Sequence, residues 1–160
     1  MPNWCQNEIK IHGDENEIKK LKDFVKSSDS EFDFNNIKPM PKELEGTVSG
    51  SENSKPDWQK EKSKELIRKY GYDNWYDWKN ANWDTKWEAS EVEVEYEDEY
   101  GDFIQYNFDT AWGPPLAIFK ELNKFFNFNS EENNLSIQWF YREDGMGFCG
   151  YLDQDISISN

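Results

Sequence analysis

His12 is the one histidine of this chain and closes the alternating run Glu8-Ile9-Lys10-Ile11-His12. An imidazole titrates near neutral pH, so beside a carboxylate it can serve as an oriented base, or share a metal with further carboxylates. The matching carboxylate is Asp109, which ends Asp102-Phe103-Ile104-Gln105-Tyr106-Asn107-Phe108-Asp109. There Ile104, Tyr106 and Phe108 fall on one face of a strand, and Gln105, Asn107 and Asp109 on the other. A second constellation is the row Glu91, Glu93, Glu95 and Glu97, spaced two apart. On a strand these carboxylates share a face and form an acidic strip suited to a basic partner or to hard cations. The same row also keeps a sheet edge solvated and unpaired, and that plainer role is the expected one. A third is the tryptophan group Trp75, Trp78, Trp83 and Trp87, with Tyr72 just before it and Tyr76 within it. Trp75 and Trp78 are the candidates to line a groove for a base or peptide, although such density more often fills the core of a segment poor in aliphatics.

These groups are positioned by elements whose periods are readable. Ile9 and Ile11 face inward on a first strand that ends at Gly13. Asp14 then caps a helix striped by Ile18, Leu21, Phe24 and Val25 and ending near Ser27. From Asp29 to Ala89 the pattern loosens and reads as an insertion packed on the main body. Phe32 to Pro41 reads as an extended segment and Glu43 to Pro56 as a Gly/Ser-rich loop. A helix follows from Trp58 to Tyr70, with Trp58, Leu66, Ile67 and Tyr70 inward and Gly71 as its stop, and the Trp-rich patch comes next. Glu91 to Glu97 is the cleanest strand, with Val92, Val94 and Tyr96 inward, and a hairpin at Asp98 to Gly101 leads into the strand ending at Asp109. Gly113, Pro114 and Pro115 turn the chain into a helix carrying Leu116, Phe119, Leu122, Phe125 and Phe126. Leu135 to Tyr141 alternates again, Gly147 to Leu152 returns as a hairpin arm, and Ile156-Ser157-Ile158 reads as a last short edge.

The order is βαββαβ with an insertion after the first helix and an added C-terminal hairpin strand. The expected fold is therefore α+β, a ferredoxin-like antiparallel sheet with its helices on one face, in a single domain spanning residues 1–160 with 29–89 as the insertion. In that order the first and third strands are central. Lys10 and His12 are then expected beside Gln105, Asn107 and Asp109 on the face opposite the helices.

Composition narrows the partners. A net charge of −15 over 160 residues repels phosphate backbones and suits a basic protein partner. Direct nucleic-acid binding is further disfavoured because the expected open face carries glutamates and amides where RNA readers of this fold carry aromatics. No apolar run is long enough to span a membrane and no basic-then-apolar leader is present, so a cytosolic protein is expected. Cys5 and Cys149 form no CxxC pair; both are expected as buried thiols, with no metal or other cofactor. Either sheet edge is free to pair across a two-fold axis, which leaves the oligomeric state open.

Several separate blocks carry a family likeness. Met1-Pro2-Asn3-Trp4-Cys5 before a strand and Gly13, Phe34-Asn35 leading to Pro39-Met40-Pro41, and Thr85-Lys86-Trp87 are three of them. The others are Phe108-Asp109-Thr110-Ala111-Trp112-Gly113-Pro114-Pro115, and Tyr141-Arg142-Glu143 before Phe148 and Gly150. Together they resemble the YubB-type ferredoxin-like family carried by phages and plasmids. The resemblance implies the same fold and a mobile-element setting. It implies no activity, since that family's function is unknown and the shared residues are mostly those of architecture.

Three functions compete. The leading one is a non-enzymatic accessory protein of a phage or plasmid that binds a host or defence protein through its acidic face. The second is a small metal-assisted hydrolase or nucleotide-processing enzyme built on His12 and Asp109. The third is an acidic mimic of nucleic acid.

Overall fold

In a computed structural model, which describes residues 1–132 and 134–152, five antiparallel strands form one sheet backed by helices. Strand β1 (Trp4–Gly13) leads to helix α1 (Glu15–Val25), the one-turn helix α2 (Phe34–Ile37), α3 (Asp57–Tyr70) and α4 (Trp75–Trp83). Strands β2 (Ser90–Glu97) and β3 (Phe103–Ala111), helix α5 (Leu116–Phe126), and strands β4 (Leu135–Glu143) and β5 (Phe148–Leu152) follow. The sheet order is β2-β3-β1-β4-β5, the ferredoxin-like order extended by one strand at the β4 edge. The edge expected at Ile156 to Ile158 lies outside the described residues.

Alternation sets which face each strand buries. Cys5, Asn7, Ile9 and Ile11 of β1, Ile104, Tyr106, Phe108 and Thr110 of β3, and Leu135, Ile137 and Trp139 of β4 are buried under the helices. Helices α1 and α5 add Ile18, Leu21 and Val25, and Ile118, Phe119, Leu122 and Phe126. The insertion shares this core through Phe32, Phe34, Leu44, Leu66, Trp78 and Trp83. Phe32 stacks on Phe108 at 5.0 Å and meets Trp139 edge-on at 6.2 Å.

Several expectations are corrected here. Phe32 to Ile37 is not extended: Asp33 accepts a hydrogen bond from the Asn36 amide and starts a helical turn that buries Phe34 and Ile37. The loop after it contains two 3₁₀ turns, Lys42–Leu44 and Glu52–Ser54. On α3 the buried positions are Gln59, Ser63 and Leu66, whereas Trp58 and Ile67 face solvent. Gln59 and Ser63 are buried because they tie down the loops: Gln59 bonds both backbone groups of Val48, and Ser63 donates to Asp73, which also pairs with Lys55 at 2.9 Å. Phe125 is exposed and Ile118 takes its place in the core. Cys149 is exposed, while Cys5 is buried and burial raises its thiol pKa to about 11. At the corner before α5 the left-handed residue is Trp112, with φ 72°, in place of Gly113. Its amide still extends the β1–β3 pairing by donating to the Asn3 carbonyl at 2.8 Å, which offsets the cost of the strained angle.

A polar chain runs through the apolar core. The Trp139 indole can only donate, so Asn7 turns its Oδ1 to Trp139 Nε1 at 3.0 Å. Its Nδ2 is thereby aimed at Thr110 Oγ1 at 2.9 Å, and the Thr110 hydroxyl donates to the Gly113 carbonyl at 2.6 Å. Strands β4, β1 and β3 and the corner that launches α5 are joined by these three bonds. Asn7→Ala should cost about 3 kcal/mol, because it strands the buried indole N–H and leaves a void. Thermal unfolding should then occur about 10 °C lower. Asn7→Leu combined with Trp139→Phe, which removes donor and acceptor together, should recover more than half of that loss.

Candidate functional site

The face of the sheet away from the helices is open, and strand register arranges it as a grid. One row across the sheet holds Ser90, Asp109, Gln6, Arg142 and Cys149. The next holds Glu93, Asn107, Glu8, Phe140 and Tyr151, and a third holds Tyr96, Gln105, Lys10 and Gln138. The last holds Phe103, His12 and Ser136.

This register overturns the expected pairing of His12 with Asp109. His12 lies opposite Phe103, six residues along β3 from Asp109, a separation of about 20 Å. Its ring packs on Phe103 at 4.4 Å between centroids. Asp109 lies opposite Gln6. An acid-base pair or shared metal at these two residues has no geometry to support it. Among the described residues no group of three His, Cys, Asp or Glu side chains is gathered to hold a metal ion. Lys10 and Gln105 are neighbours as expected, but Lys10 pairs with Glu8 at 3.3 Å and Gln105 donates to Asn107 at 3.2 Å.

The glutamate row is divided by two irregularities in β2. A register shift between Ser90 and Glu93, with Glu91 at φ 52°, turns Glu91 toward Asp109. A second shift between Val94 and Tyr96 leaves Glu95 as the extra residue and reverses the faces beyond it. Tyr96, expected inward, therefore stands on the open face at 55% exposure, 5.5 Å from Phe103. Glu97, expected on the open face, turns to the helix side and pairs with Lys22 of α1. Glu95 stays on the open face, where it accepts from Asn107 at 3.4 Å.

Glu91, Glu93 and Asp109 together line a cleft of about 420 Å³ with Gln6, Glu8, Asn107, Phe140 and Arg142. Burial, then the nearby charge of Glu91, raises the Asp109 pKa above the ordinary carboxylate value. Arg142 lines the same cleft but forms its ion pair elsewhere, donating to Gln6 at 2.7 Å and pairing with Asp144 at 3.0 Å. Among the described residues Glu91, Glu93 and Asp109 make no ion pair. Gln6, Phe140 and Arg142 were not singled out in the sequence as site residues. Their signal was the alternation itself, which continues from Ile9 back through Asn7 and Cys5, and from Trp139 through Tyr141.

The tryptophan candidates separate. Trp78 is 6% exposed and part of the core, so it lines no groove. Trp75 is half-buried and, with Trp83, holds the Lys79 ammonium at 5.2 and 4.9 Å from the ring centres. Burial lowers the Lys79 pKa. Nearby, Glu88 accepts the amides of Phe34 and Asn35 at 2.8 and 2.9 Å and so caps α2 from the far end of the insertion. Burial, then the charge of Asp33, pushes its carboxyl up to about 7.

No protein-family model matches the chain, and no curated protein does. Among solved structures it is similar to the crystal structure of a protein api92 from Yersinia pseudotuberculosis, of the family DUF1281. The TM-score is 0.55 at 9% sequence identity, with 94% of this chain and 93% of that chain covered. At that identity the likeness speaks to the fold alone.

Two titrations follow from the carboxylates. Glu91→Gln removes one of the charges opposing ionisation of Asp109, so the Asp109 carboxyl resonance should titrate at lower pH in the variant than in the wild type. Glu88 has a folded pKa above its unfolded value, so its contribution to stability is full below about pH 4.5 and lost as pH rises through about 7. The fall in melting temperature between about pH 5 and about pH 8 should accordingly be smaller in Glu88→Gln than in the wild type.

Proposed function

We propose that this protein is a non-enzymatic binding protein that engages a basic protein partner through the acidic part of its open sheet face. The observation that carries this reading is the cleft: three carboxylates, Glu91, Glu93 and Asp109, face one concavity without an ion pair among the described residues. Carboxylates held close together repel one another, and a cationic side chain from a partner relieves that repulsion. The net charge of −15 supplies a long-range field that draws a basic partner and repels nucleic acid. The sequence resemblance to phage- and plasmid-borne proteins supports a setting in which the partner is a host or defence protein. The two free cysteines support a cytoplasmic location, and no helix among the described residues is long and apolar enough to cross a membrane.

The immobilised protein should retain a saturable basic partner from a host lysate, with affinity falling as salt rises. Glu91→Lys combined with Glu93→Lys and Glu95→Lys should weaken that retention at least about tenfold, by reversing charge at the contact, with the melting temperature little changed. Retention that survives the triple reversal, or that is unaffected by salt, overturns the reading.

A further inference from the structure

The acidic cleft, with Phe140 in its lining, occupies one end of the open face, and an aromatic strip without carboxylates in its row occupies the other. Tyr96, Phe103 and His12 form a continuous strip across β2, β3 and β1, with ring centres 5.5 Å and 4.4 Å apart. Simple alternation along β2 would have buried Tyr96; the bulge at Glu95 places it outside, against Phe103. An exposed aromatic strip beside a charged cleft is the make-up of an interaction surface. The two irregularities in β2 also make this edge a poor template for an added strand, so an occupant lies on the face and does not extend the sheet.

Resting on the acidic-face reading above, we infer that the open face has two subsites and that its occupant is an extended basic peptide segment lying along β3. An arginine or lysine of that segment enters the cleft beside Glu93, Asn107 and Asp109, and a large apolar or aromatic residue packs on Tyr96 and Phe103. The row of Glu93 and Asn107 is four residues along β3 from the row of Phe103, about 13 Å, so the cationic and apolar anchors stand four positions apart in an extended segment. Both then point to the same side. Charge selects a peptide over a single-stranded nucleic acid, which aromatics on an open sheet also suit. Glu8, Glu91, Glu93, Glu95 and Asp109 would all face its phosphates, and of the cations on this face Lys10 is paired with Glu8 and Arg142 with Asp144.

The test is a titration of the isotope-labelled full chain, followed by backbone amide shifts, with three capped peptides and one RNA. The first peptide is Ser-Arg-Ser-Gly-Ser-Trp-Ser, the second has the same composition with Arg and Trp adjacent, and the third has Trp replaced by Ser; the RNA is an oligouridylate. The spaced peptide should bind at least about fivefold tighter than the other two, the advantage of one buried anchor, and should shift amides at both Asn107 and Phe103. Tyr96→Ser, at an exposed edge position, should remove that advantage and leave the shifts at Asn107. If all three peptides bind equally with shifts confined to the cleft, the two-subsite inference fails while the acidic-face reading stands. If no peptide shifts any amide, both fail. If the oligouridylate shifts the amides of Phe103 and His12, the occupant is a nucleic acid and the inference is overturned.

Discussion

A tryptophan indole carries one donor and no acceptor, and Trp139 is fully buried where no water reaches it. That donor must find a protein acceptor, and the requirement fixes Asn7, then Thr110, then the Gly113 carbonyl, in a single direction of hydrogen bonding. The chain crosses β4, β1 and β3 at the level where register has to be correct for Asp109 to meet Gln6. A slip of one residue would turn Trp139, Asn7 or Thr110 to the open face, according to the strand that slipped, and leave its partner in the core without its hydrogen bond. The polar chain therefore sets the alignment on which the open face depends.

The insertion is held by the same logic applied to helix ends. Helix α2 has two amides capped by Glu88, which arrives 53 or 54 residues later in the chain. Helix α5 has no side-chain cap at Pro115, and the Asp84 carboxylate from the end of α4 stands beside the Ala117 amide in its first turn. Glu88 thus completes α2, and Asp84 sets a negative charge at the start of α5. This explains why a segment with few aliphatic residues packs as one body with the sheet, its aromatics meeting Phe108 and Trp139 while the Glu88 carboxylate satisfies the exposed amides of α2.

The open face owes its character to two breaks in the pairing of β2. The first, at Glu91, concentrates charge beside Asp109; the second, at Glu95, exchanges Tyr96 and Glu97 between faces. Without them the face would carry a regular acidic strip, and Tyr96 would be a core residue. With them it has an acidic end and an aromatic end, and Glu97 becomes a tie to α1 through Lys22.

The strands, the helices α1 and α5, and the ferredoxin-like order were legible because buried apolar residues recur with periods of two and 3.6, and those periods are properties of the backbone; α3 was legible from its helix-forming composition and the stop at Gly71, not from its buried face. The candidate site was legible only in part. That Gln105, Asn107 and Asp109 share the open face follows from alternation, and their placement beside β1 follows from the ferredoxin-like order. Which residue of β1 meets which residue of β3 does not follow, because periodicity is unchanged by sliding one strand past another in steps of two. Tertiary structure decided that, putting Asp109 against Gln6 and His12 against Phe103. It also decided the bulges, since an extra residue in Glu-Val-Glu-Val-Glu-Tyr-Glu leaves no mark in a run where alternate positions look alike. What the amino-acid sequence determined by itself is which faces of β1, β3 and β4 and of helices α1 and α5 leave water. Which of the remaining side chains stand together was decided by the fit of Trp139, Asn7 and Thr110 in the closed core.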